Sequence, residues 1–534
     1  MATSTFAGYY VARSGVVAAR SNLQITGQNI TNMNTEGYTR QSVVNSSIPS
    51  VGNNMRYSDT STIKVGQGVS CDSVIRNRDE TLDNRYRAES PKTESFDLET
   101  EIKTDLENIL DEIKNDNGIQ DKIAGLIKQL QNLSTSPGDT NYESIVKNTA
   151  LGIAKLFNQL STSLQEVKDQ QAEYFSMNVE NANTIIKQIA SLNEEIKRSQ
   201  VTGADPLELE DTRDQLLDKL SEYCDIETSK VSVSVGSGKY VDELNVVLVG
   251  KDGTKYSLID NDVYSKFNYT EVKDANGNIT DYQLSLTKLN GSVRIATNGT
   301  TAFDDSVLNN GKFATYLSML NDNGVYDTPP TTTNGIGYYQ QRLDTLANYF
   351  ADVLNKVNSS DSADATNYDK PFFTNGNGST DSTGITAANI SISQQWKDCQ
   401  GSYITSSKVV TDATVDSTKR SDNILFMISE INKSRDFYTD TGEFIFQGNV
   451  KEYATDISDT LGLEITFSKS NYETSNTKLN TINDARLSVS SVDVNEESIN
   501  MVMYNQSFQA SSRFMTTMDE LINQLINNMG LVGR

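Results

Sequence analysis

The first 33 residues carry a regular pattern of apolar positions. Steps of three and four residues alternate along this stretch, as they do along the seam of a coiled coil. The pattern stops at NMNTEGYTRQ, where Asn34 and Gly37 favour a turn and Gly37 can take the left-handed conformation that ends a helix. We predict a helix followed by a turn around Gly37 and Tyr38. The positions of this N-terminal stripe are Tyr9, Ala12, Val16, Ala19, Leu23, Thr26, Ile30 and Met33.

A second stripe with the same spacing occupies the C-terminus. Its positions are Met501, Tyr504, Phe508, Ser511, Met515, Met518, Ile522, Leu525 and Met529. Only Ser511 interrupts the apolar run. Asn495 is the predicted N-cap, because its side chain can accept a hydrogen bond from a free amide of the first turn. Glu496 and Glu497 follow it in that turn, where the helix dipole favours negative charge.

Helical periodicity also dominates the chain between these two ends. A helix is predicted from about Tyr142 to Ser199, and another over DPLELEDTRDQLLDKLSEYCD with Pro206 near its first turn. Two further apolar faces have helical spacing. The first, in a segment starting near Glu94, consists of Leu98, Ile102, Ile109 and Ile113, and the second of Tyr339, Leu343, Leu346, Phe350, Val353 and Val357.

The period changes to two between about Ile226 and Ala302. Alternating valines in KVSVSVGSGKY and two turn dipeptides, Asp252-Gly253 and Asn276-Gly277, predict β-hairpins. FYTDTGEFIFQGN predicts a smaller hairpin, whereas the segment from Ser359 to Gly384 is rich in Asn, Asp, Gly and Ser and is predicted to be a loop.

These patterns predict a mainly α, multi-domain fold with an inserted β domain. The predicted divisions are a terminal helical domain (1–45 and 495–534), a helical-bundle middle domain (46–225 and 303–494) and a β-rich outer domain (226–302). We expect the terminal helices to pair with each other as a coiled coil. The alternative is that each packs separately on the helical body.

Length and charge narrow the classes of function. A chain of 534 residues is too long for one core, and its net charge of -25 disfavours nucleic acid and anionic membrane surfaces as partners. No apolar run of about 18 residues exists, so no membrane insertion is expected. No signal peptide is visible at the N-terminus, and by these tests alone the chain would be cytosolic.

Residue types argue against most enzymatic chemistry. The chain has no histidine, which removes the usual general base and the usual metal ligand. Cys71, Cys224 and Cys399 lie too far apart for a zinc motif, and we expect three free cysteines. We therefore expect no catalytic site, no cofactor and no metal, although carboxylates that meet only in space could still form a site of the kind glycosidases use.

Three short motifs resemble functional motifs but are better explained as turns or exposed helix faces. VGSGKY lacks the first Gly and the Ser or Thr of a phosphate-binding loop, so a turn between strands is favoured. DANGNITD has Ile279 where a calcium loop needs Gly, and a hairpin turn is favoured. The carboxylate pairs Glu194–Glu195 and Glu496–Glu497 have no partnering residue on their predicted helices, and solvated helix faces are favoured.

The terminal stripes favour assembly over an ordinary core face. They occupy both extreme ends of the chain, and between Asn505 and Gly530 the only charged residues are Arg513, Asp519 and Glu520. A solitary helical hairpin normally carries more charge on its outer face. A polar but uncharged outer face is typical of a helix that is covered by neighbouring copies or related chains.

The terminal segments resemble the bacterial flagellar axial proteins, a family of rod, hook and hook-associated proteins. GVVAARSNLQITGQNITNMNTEGYTRQ, residues 15–41, is similar to the family's N-terminal signature, with Glu36 where a Pro is common. MVMYNQSFQASSRFMTTMDELINQLINNMG, residues 501–530, is similar to its C-terminal helix. Within the family, DTRDQLLDKLSEYCDIE and AANISISQQWKD resemble segments of a hook-associated member.

The resemblance implies a structural role at the junction between hook and filament. Copies would form a ring or short helical layer, with the terminal helices as an inner tube and the β domain facing solvent. The implied partners are the hook protein on one side, hook-associated protein 3 on the other, and a cytosolic export chaperone on the C-terminal helix. The implied location is extracellular, after type III export without a cleaved signal. The alternatives are another axial protein (hook protein or hook-associated protein 3) and an axial protein with an enzymatic insertion.

Overall fold

The computed structural model describes residues 7–48, 68–110, 118–236, 239–288, 302–303, 307–359, 368–408 and 420–528. Its helices are α1 (Ala7–Asn32), α2 (Glu80–Leu110), α3 (Ile119–Thr135), α4 (Thr140–Thr202), α5 (Leu207–Ser221), α6 (Lys312–Asn321), α7 (Ile336–Asn358), α8 (Gln394–Asp398), α9 (Asp422–Asn432), α10 (Val450–Ser490) and α11 (Val494–Asn528). Its strands are β1 (Gln41–Ser47), β2 (Val69–Arg76), β3 (Ile226–Gly236), β4 (Lys239–Val249), β5 (Lys255–Asp260), β6 (Val263–Lys273), β7 (Ile279–Lys288), β8 (Ala302–Phe303), β9 (Phe373–Thr374), β10 (Ser391–Ile392), β11 (Arg435–Tyr438) and β12 (Phe444–Gly448).

The 63-residue helix α4 is the central element of the body, by which we mean α2 to α10 together with the β insertion. The side chain of Asp139 caps its first turn by accepting from the amide of Asn141, and Gly203 ends it in the left-handed conformation. Helices α3, α5, α6 and α7 all contact α4, and so do strands β4 and β6. The helix predicted from Tyr142 to Ser199 is confirmed, with a few residues added at each end.

One hydrophobic core runs through the body. Among the described residues it extends from Leu98 on α2 to Leu461 on α10, and it includes the inner face of the β insertion. The apolar face predicted on α7 lies inside this core, from Tyr339 at 0% exposure to Val357 at 5%. A mainly α fold with an inserted β domain is therefore confirmed, while the domain boundaries and the coiled-coil geometry of the terminal helices stay predictions.

Strands β3 to β8 form an antiparallel meander in chain order. Gly253 and Gly277 adopt left-handed backbone conformations in two of its turns, as the two turn dipeptides predict. Lys239 of VGSGKY begins strand β4 rather than a helix, so the arrangement differs from a phosphate-binding loop. An aromatic cluster joins the sheet to the helices: Phe175 of α4 stacks on Tyr316 at 5.3 Å, and Phe267 of β6 meets Phe313 at 5.1 Å.

The smaller hairpin is also confirmed, since β11 pairs with β12 in antiparallel fashion. The sequence patterns did not predict several elements, among them the β1–β2 hairpin, helices α3, α6 and α9, and the 41-residue helix α10. Helix α10 packs along α2. Its contact face includes buried Ser468 and Ser475, so it lacks an apolar stripe along its length. Ile113, predicted on the face of α2, lies outside the described residues, as α2 ends at Leu110.

The start of α11 differs from the prediction. Asp493, rather than Asn495, caps the helix, because its carboxylate accepts from the amides of Asn495 at 2.8 Å and Glu496 at 3.5 Å. Both Asp and Asn are suitable caps, and the loop from α10 already ends at Asp493, since α11 begins at Val494. Glu496 and Glu497 do lie in the first turn.

Candidate assembly surface

Helices α1 and α11 lie side by side along their lengths. A β-carbon placed on Gly8 would lie 2.6 Å from the sulfur of Met518, and one on Gly15 would lie 2.8 Å from the hydroxyl of Ser511. The two contacts move seven residues forward on α1 and seven backward on α11, so the helices are antiparallel. Ser511, the polar interruption of the C-terminal stripe, thus faces the position where α1 has only a glycine.

The N-terminal stripe faces this contact. Ala12, Ala19 and Thr26 are buried, and Tyr9, Val16, Leu23 and Ile30 are half-buried. Met33 falls just beyond the end of α1 and is 43% exposed, because the antiparallel register places it opposite the residue before α11 begins at Val494.

The C-terminal stripe faces α1 from the other side. Tyr504, Phe508, Ser511, Met515, Met518 and Ile522 are half-buried in the single chain. Met501 and Leu525 are 38% and 45% exposed. Met529 lies outside the described residues. The structure therefore brings both predicted stripes to one seam, and it leaves most of the C-terminal side chains only partly covered.

A second apolar face on α11 points away from the seam. It consists of Ile499, Val502, Met503, Phe514 and Leu521, with exposures between 41% and 68%. Tyr10 and Val17 of α1, seven residues apart, are 61% and 50% exposed. This face was not predicted, because the heptad pattern defines one stripe per helix. The signal was present, since Ile499 and Met503, and Phe514 and Leu521, are spaced at four and seven residues. A third side of α11 is polar and exposed, with Asn505, Gln509, Thr516 and Asn523.

The turn after α1 is fixed by polar contacts. Gly37 has a left-handed backbone (φ 74°), and the amide of Gln215 on α5 occupies the space that a side chain would need. The Tyr38 hydroxyl donates to Asn29 Oδ1 at 2.8 Å. Burial and then the nearby carboxylates, Glu208 first among them, raise the pKa of Tyr38 to about 12, so the hydroxyl keeps its proton as a donor.

Arg40 joins this turn to the start of α11. Its Nε lies 2.8 Å from Glu497 and its terminal nitrogen 2.9 Å from Glu496, and the Glu497 side chain is 3% exposed. The expectation of a solvated, unpartnered carboxylate pair is therefore wrong for Glu496 and Glu497. Glu194 is solvated as expected, but it does have a partner, Arg198 on the same helix. The partner is more than 450 positions away in sequence, so helix periodicity could not reveal it.

The other residues considered for metal binding or catalysis form no such site among the described residues. Within the described ranges, no group of three or more His, Cys, Asp or Glu side chains could hold a metal ion. Cys71, Cys224 and Cys399 are free, and burial raises the pKa of Cys224 above its usual range. No helix in the described part of the chain is long and apolar enough to cross a membrane.

Two known protein families match the segments that contain the terminal helices α1 and α11. A model named flagella basal body rod protein matches residues 10–39, and one named flagellar basal body rod FlgEFG protein C-terminal matches 484–529. These matches cover most of the α1–α11 pair and define the class as flagellar axial proteins. The model of the flagellar hook-associated protein FlgK helical domain matches residues 104–373, about half of the chain. The chain belongs to this FlgK family of hook-associated proteins, as the resemblance predicted.

Individual relatives are similar over different spans. Flagellar hook-associated protein 1 of Bacillus subtilis is 27% identical over 544 residues and covers 100% of both chains. The protein of the same name from Escherichia coli is 29% identical over 227 residues, 41% of this chain and 39% of that protein. The structure of the flagellar hook junction protein FlgK from Burkholderia pseudomallei matches with a TM-score of 0.40 and 19% identity, over 52% of this chain and 44% of that one.

Proposed function

We propose that this chain is a structural subunit of the bacterial flagellum that forms the hook–filament junction by self-assembly through its terminal helices. The observation that carries the proposal is the second apolar face of α11, together with a seam that the single chain covers only in part. Several large apolar side chains exposed on one side of a helix are typical of a surface that another molecule covers. Neighbouring copies of the same helix pair are the proposed cover.

The energetics favour a layer of many copies over an isolated pair. Burying one large apolar side chain contributes about 1.5–3 kcal/mol. Ordering the backbone costs about 1–2 kcal/mol per residue, and a long helix pair has many residues to order. One partner covers one face of α11, whereas several neighbours cover two. The layer is therefore stable because several neighbours together bury apolar surface that a single partner would leave in water.

The names of the relatives supply the setting for the proposal. They are called hook-associated protein 1 and hook junction protein. We propose the hook protein and hook-associated protein 3 as neighbours on the two sides of the layer, and an export chaperone bound to α11 before assembly. The proposed location is extracellular, reached by type III export without a cleaved signal. The proposed arrangement has α1 and α11 as the inner tube, the helical body around it and the β3–β8 sheet outermost, with no enzymatic role.

Substitutions in the seam test this proposal. Leu23→Asp and Ile522→Asp each bury a charge between α1 and α11, and we expect either one to abolish assembly while the body stays folded. The measurement is swimming, and immunogold labelling of isolated junctions, in cells that lack their own copy of the gene. Circular dichroism of the purified variants reports whether the body is folded.

Two further variants on α11 separate the faces of the helix. Phe514→Asp lies on the second apolar face, so we expect assembly to fail although the helix pair itself can form. Thr516→Asp puts the same charge on the exposed polar side of the helix and should assemble normally. Normal swimming with either seam variant would overturn the proposal, and normal swimming with Phe514→Asp would show that the second face remains uncovered.

A further inference from the structure

The terminal helix pair meets the body through charged and polar side chains. Within the described residues, the hydrophobic core contains no residue of α1 or α11. The contacts between the pair and the body instead form a polar joint. We define the polar joint as residues 38–41, the first turn of α11, Arg76 and Arg486, and the acidic face of α5, which consists of Glu208, Glu210, Asp211, Asp214 and Asp218.

Helix α5 has two faces with different roles. Leu217 and Leu220 point into the core of the body at 1% and 0% exposure. The opposite, acidic face receives the N-terminal segment: the backbone amide of Thr39 donates to Asp211 Oδ2 at 3.0 Å, and the side-chain amide of Gln28 donates to Glu208 at 2.7 Å. The acidic face of α5 is thus the surface on which the end of α1 rests.

Arginines connect the same acidic face to the elements that flank it. Arg76, at the end of β2, lies 2.8 Å from both Glu210 and Asp211. Arg486, near the end of α10, lies 2.6 Å from Asp218. These three carboxylates therefore each have an arginine partner on another element.

Asp214 is the carboxylate of the acidic face that has the most arginine partners. It lies 2.9 Å from Arg76 and 3.2 Å from Arg87. Burial works against its charge, yet the surrounding guanidinium groups, led by that of Arg78, hold the pKa of this carboxyl well below its usual range. Asp214 therefore stays charged, and the joint is held by ion pairs rather than by neutral hydrogen bonds.

Arg40 connects the two terminal helices across the joint. Its backbone amide donates to the carbonyl of Ser490 at 2.9 Å, and its guanidinium holds Glu496 and Glu497. Beside it, a cleft of about 560 Å³ separates the turn at 34–37 from the end of α10. Arg40 and Glu496 are 19% and 57% exposed, so dissolved salt reaches this ion pair.

We infer that the polar joint is an electrostatic latch: it holds the terminal helix pair on the body, and it opens while the body stays folded when its charges are screened or removed. The latch acts in the unassembled chain and so goes beyond the proposed function. Apolar contacts persist in salt, whereas exposed ion pairs weaken as the Debye length falls from about 30 Å at about 0.01 M to about 3 Å at about 1 M. Added salt therefore weakens the exposed Arg40–Glu496 pair of the joint first, while the apolar core persists.

Hydrogen exchange of the full-length, unassembled chain tests the latch. The amides of Thr39 and Arg40 are the reporters, because each donates across the joint. Arg40→Gln removes the charge that holds Glu496 and Glu497, and Asp211→Asn keeps an acceptor for Thr39 while removing the charge. In either variant, or at about 1 M salt, we expect these amides to exchange at least about tenfold faster, the equivalent of about 1.4 kcal/mol. Amides within α4 and α7 should keep their rates.

Arg198→Gln is the matched control, since Arg198 pairs with Glu194 on the surface of α4 at 72% and 52% exposure. Removing this exposed charge should leave the exchange rates of the Thr39 and Arg40 amides unchanged. Unchanged reporters in Arg40→Gln and at high salt would overturn the inference, because other contacts would then hold the joint. Faster exchange spread equally over α4 and α7 would also overturn it, because the charges would then stabilise the body as a whole.

Discussion

The body and the terminal helix pair are built from apolar stripes with the same spacing, yet the stripes have different surroundings. On α7 the stripe is covered on all sides, and Tyr339, Leu343 and Leu346 are fully buried. On α11, within the described ranges, the stripe packs on α1 alone, and Tyr504, Met515 and Ile522 remain half-buried. A heptad pattern therefore tells which face of a helix is apolar. The number of helices that cover that face depends on the rest of the chain and on other copies.

The largest expected effect comes from opening the core of the body. Phe175 of α4 is fully buried against Tyr269, Phe313 and Tyr316. Phe175→Ala leaves a cavity, and we expect the free energy of unfolding to fall by about 3–5 kcal/mol. Chemical denaturation measures this free energy of unfolding. The matched control is Phe467→Ala on α10, where the ring is 70% exposed. A similar loss of unfolding free energy in both variants would contradict this comparison, because burial of the ring would then make no difference to stability.

A smaller effect, confined to the terminal pair, is expected from Gly15→Leu. The close approach to Ser511 leaves no room for the side chain, and overpacking costs about 1–3 kcal/mol. Amides of α1 and α11 should exchange about tenfold faster in the full-length chain, with α4 unchanged. Gly27→Leu, on the same helix, has no heavy atom within 4 Å of the added β-carbon and should leave exchange as it is. Slower exchange in Gly15→Leu would contradict the antiparallel contact described above.

The last effect concerns pH and acts on the body alone. Burial raises the pKa of Asp344 on α7 from 3.8 to about 6, while the Ala387 amide that donates to it at 2.7 Å opposes the shift. The folded chain thus holds this proton more tightly than the unfolded chain, so this contribution to stability is complete below about pH 4 and is lost as pH rises to about 6.

Asp344→Asn keeps an acceptor for Ala387 and removes the charge, so we expect a gain of at most about 3 kcal/mol at pH 7 and a flatter stability between pH 4 and 6. Denaturant unfolding across that pH range measures the effect. Glu473→Gln, at an exposed position of α10, is the control and should leave the curve unchanged. A variant that is less stable than the parent at pH 7 would show that Asp344 needs its charge.

Much of the fold follows from the chain's own periodicity. The stripes on α1, α7 and α11 and the turn at Gly37 were predictable, because a regular apolar face and a left-handed glycine leave local signals. Helix α10 was not, since serines rather than large apolar residues face α2 at Ser468 and Ser475. The N-cap at Asp493 was displaced by two positions because neighbouring Asp and Asn residues cap equally well.

The candidate site was less predictable than the fold. The seam could be read from the two stripes, but the partner of Glu497 could not, because Arg40 reaches it only after the chain has folded. The same holds for Thr39 and Asp211, which lie 172 positions apart. Helix periodicity describes one element at a time, whereas ion pairs between elements depend on the tertiary fold.

The length of α4 has a mechanical consequence. At about 1.5 Å per residue its 63 residues span about 95 Å, and its C-terminal end lies beside α5 and hence beside the polar joint. When the latch inferred above opens, the body would turn about that end as a stiff lever. A rotation of about 5° at the joint displaces the other end of α4 by about 8 Å. In the assembly proposed above, such a rotation would let the chain adjust to its neighbours while the packing of its core stays unchanged.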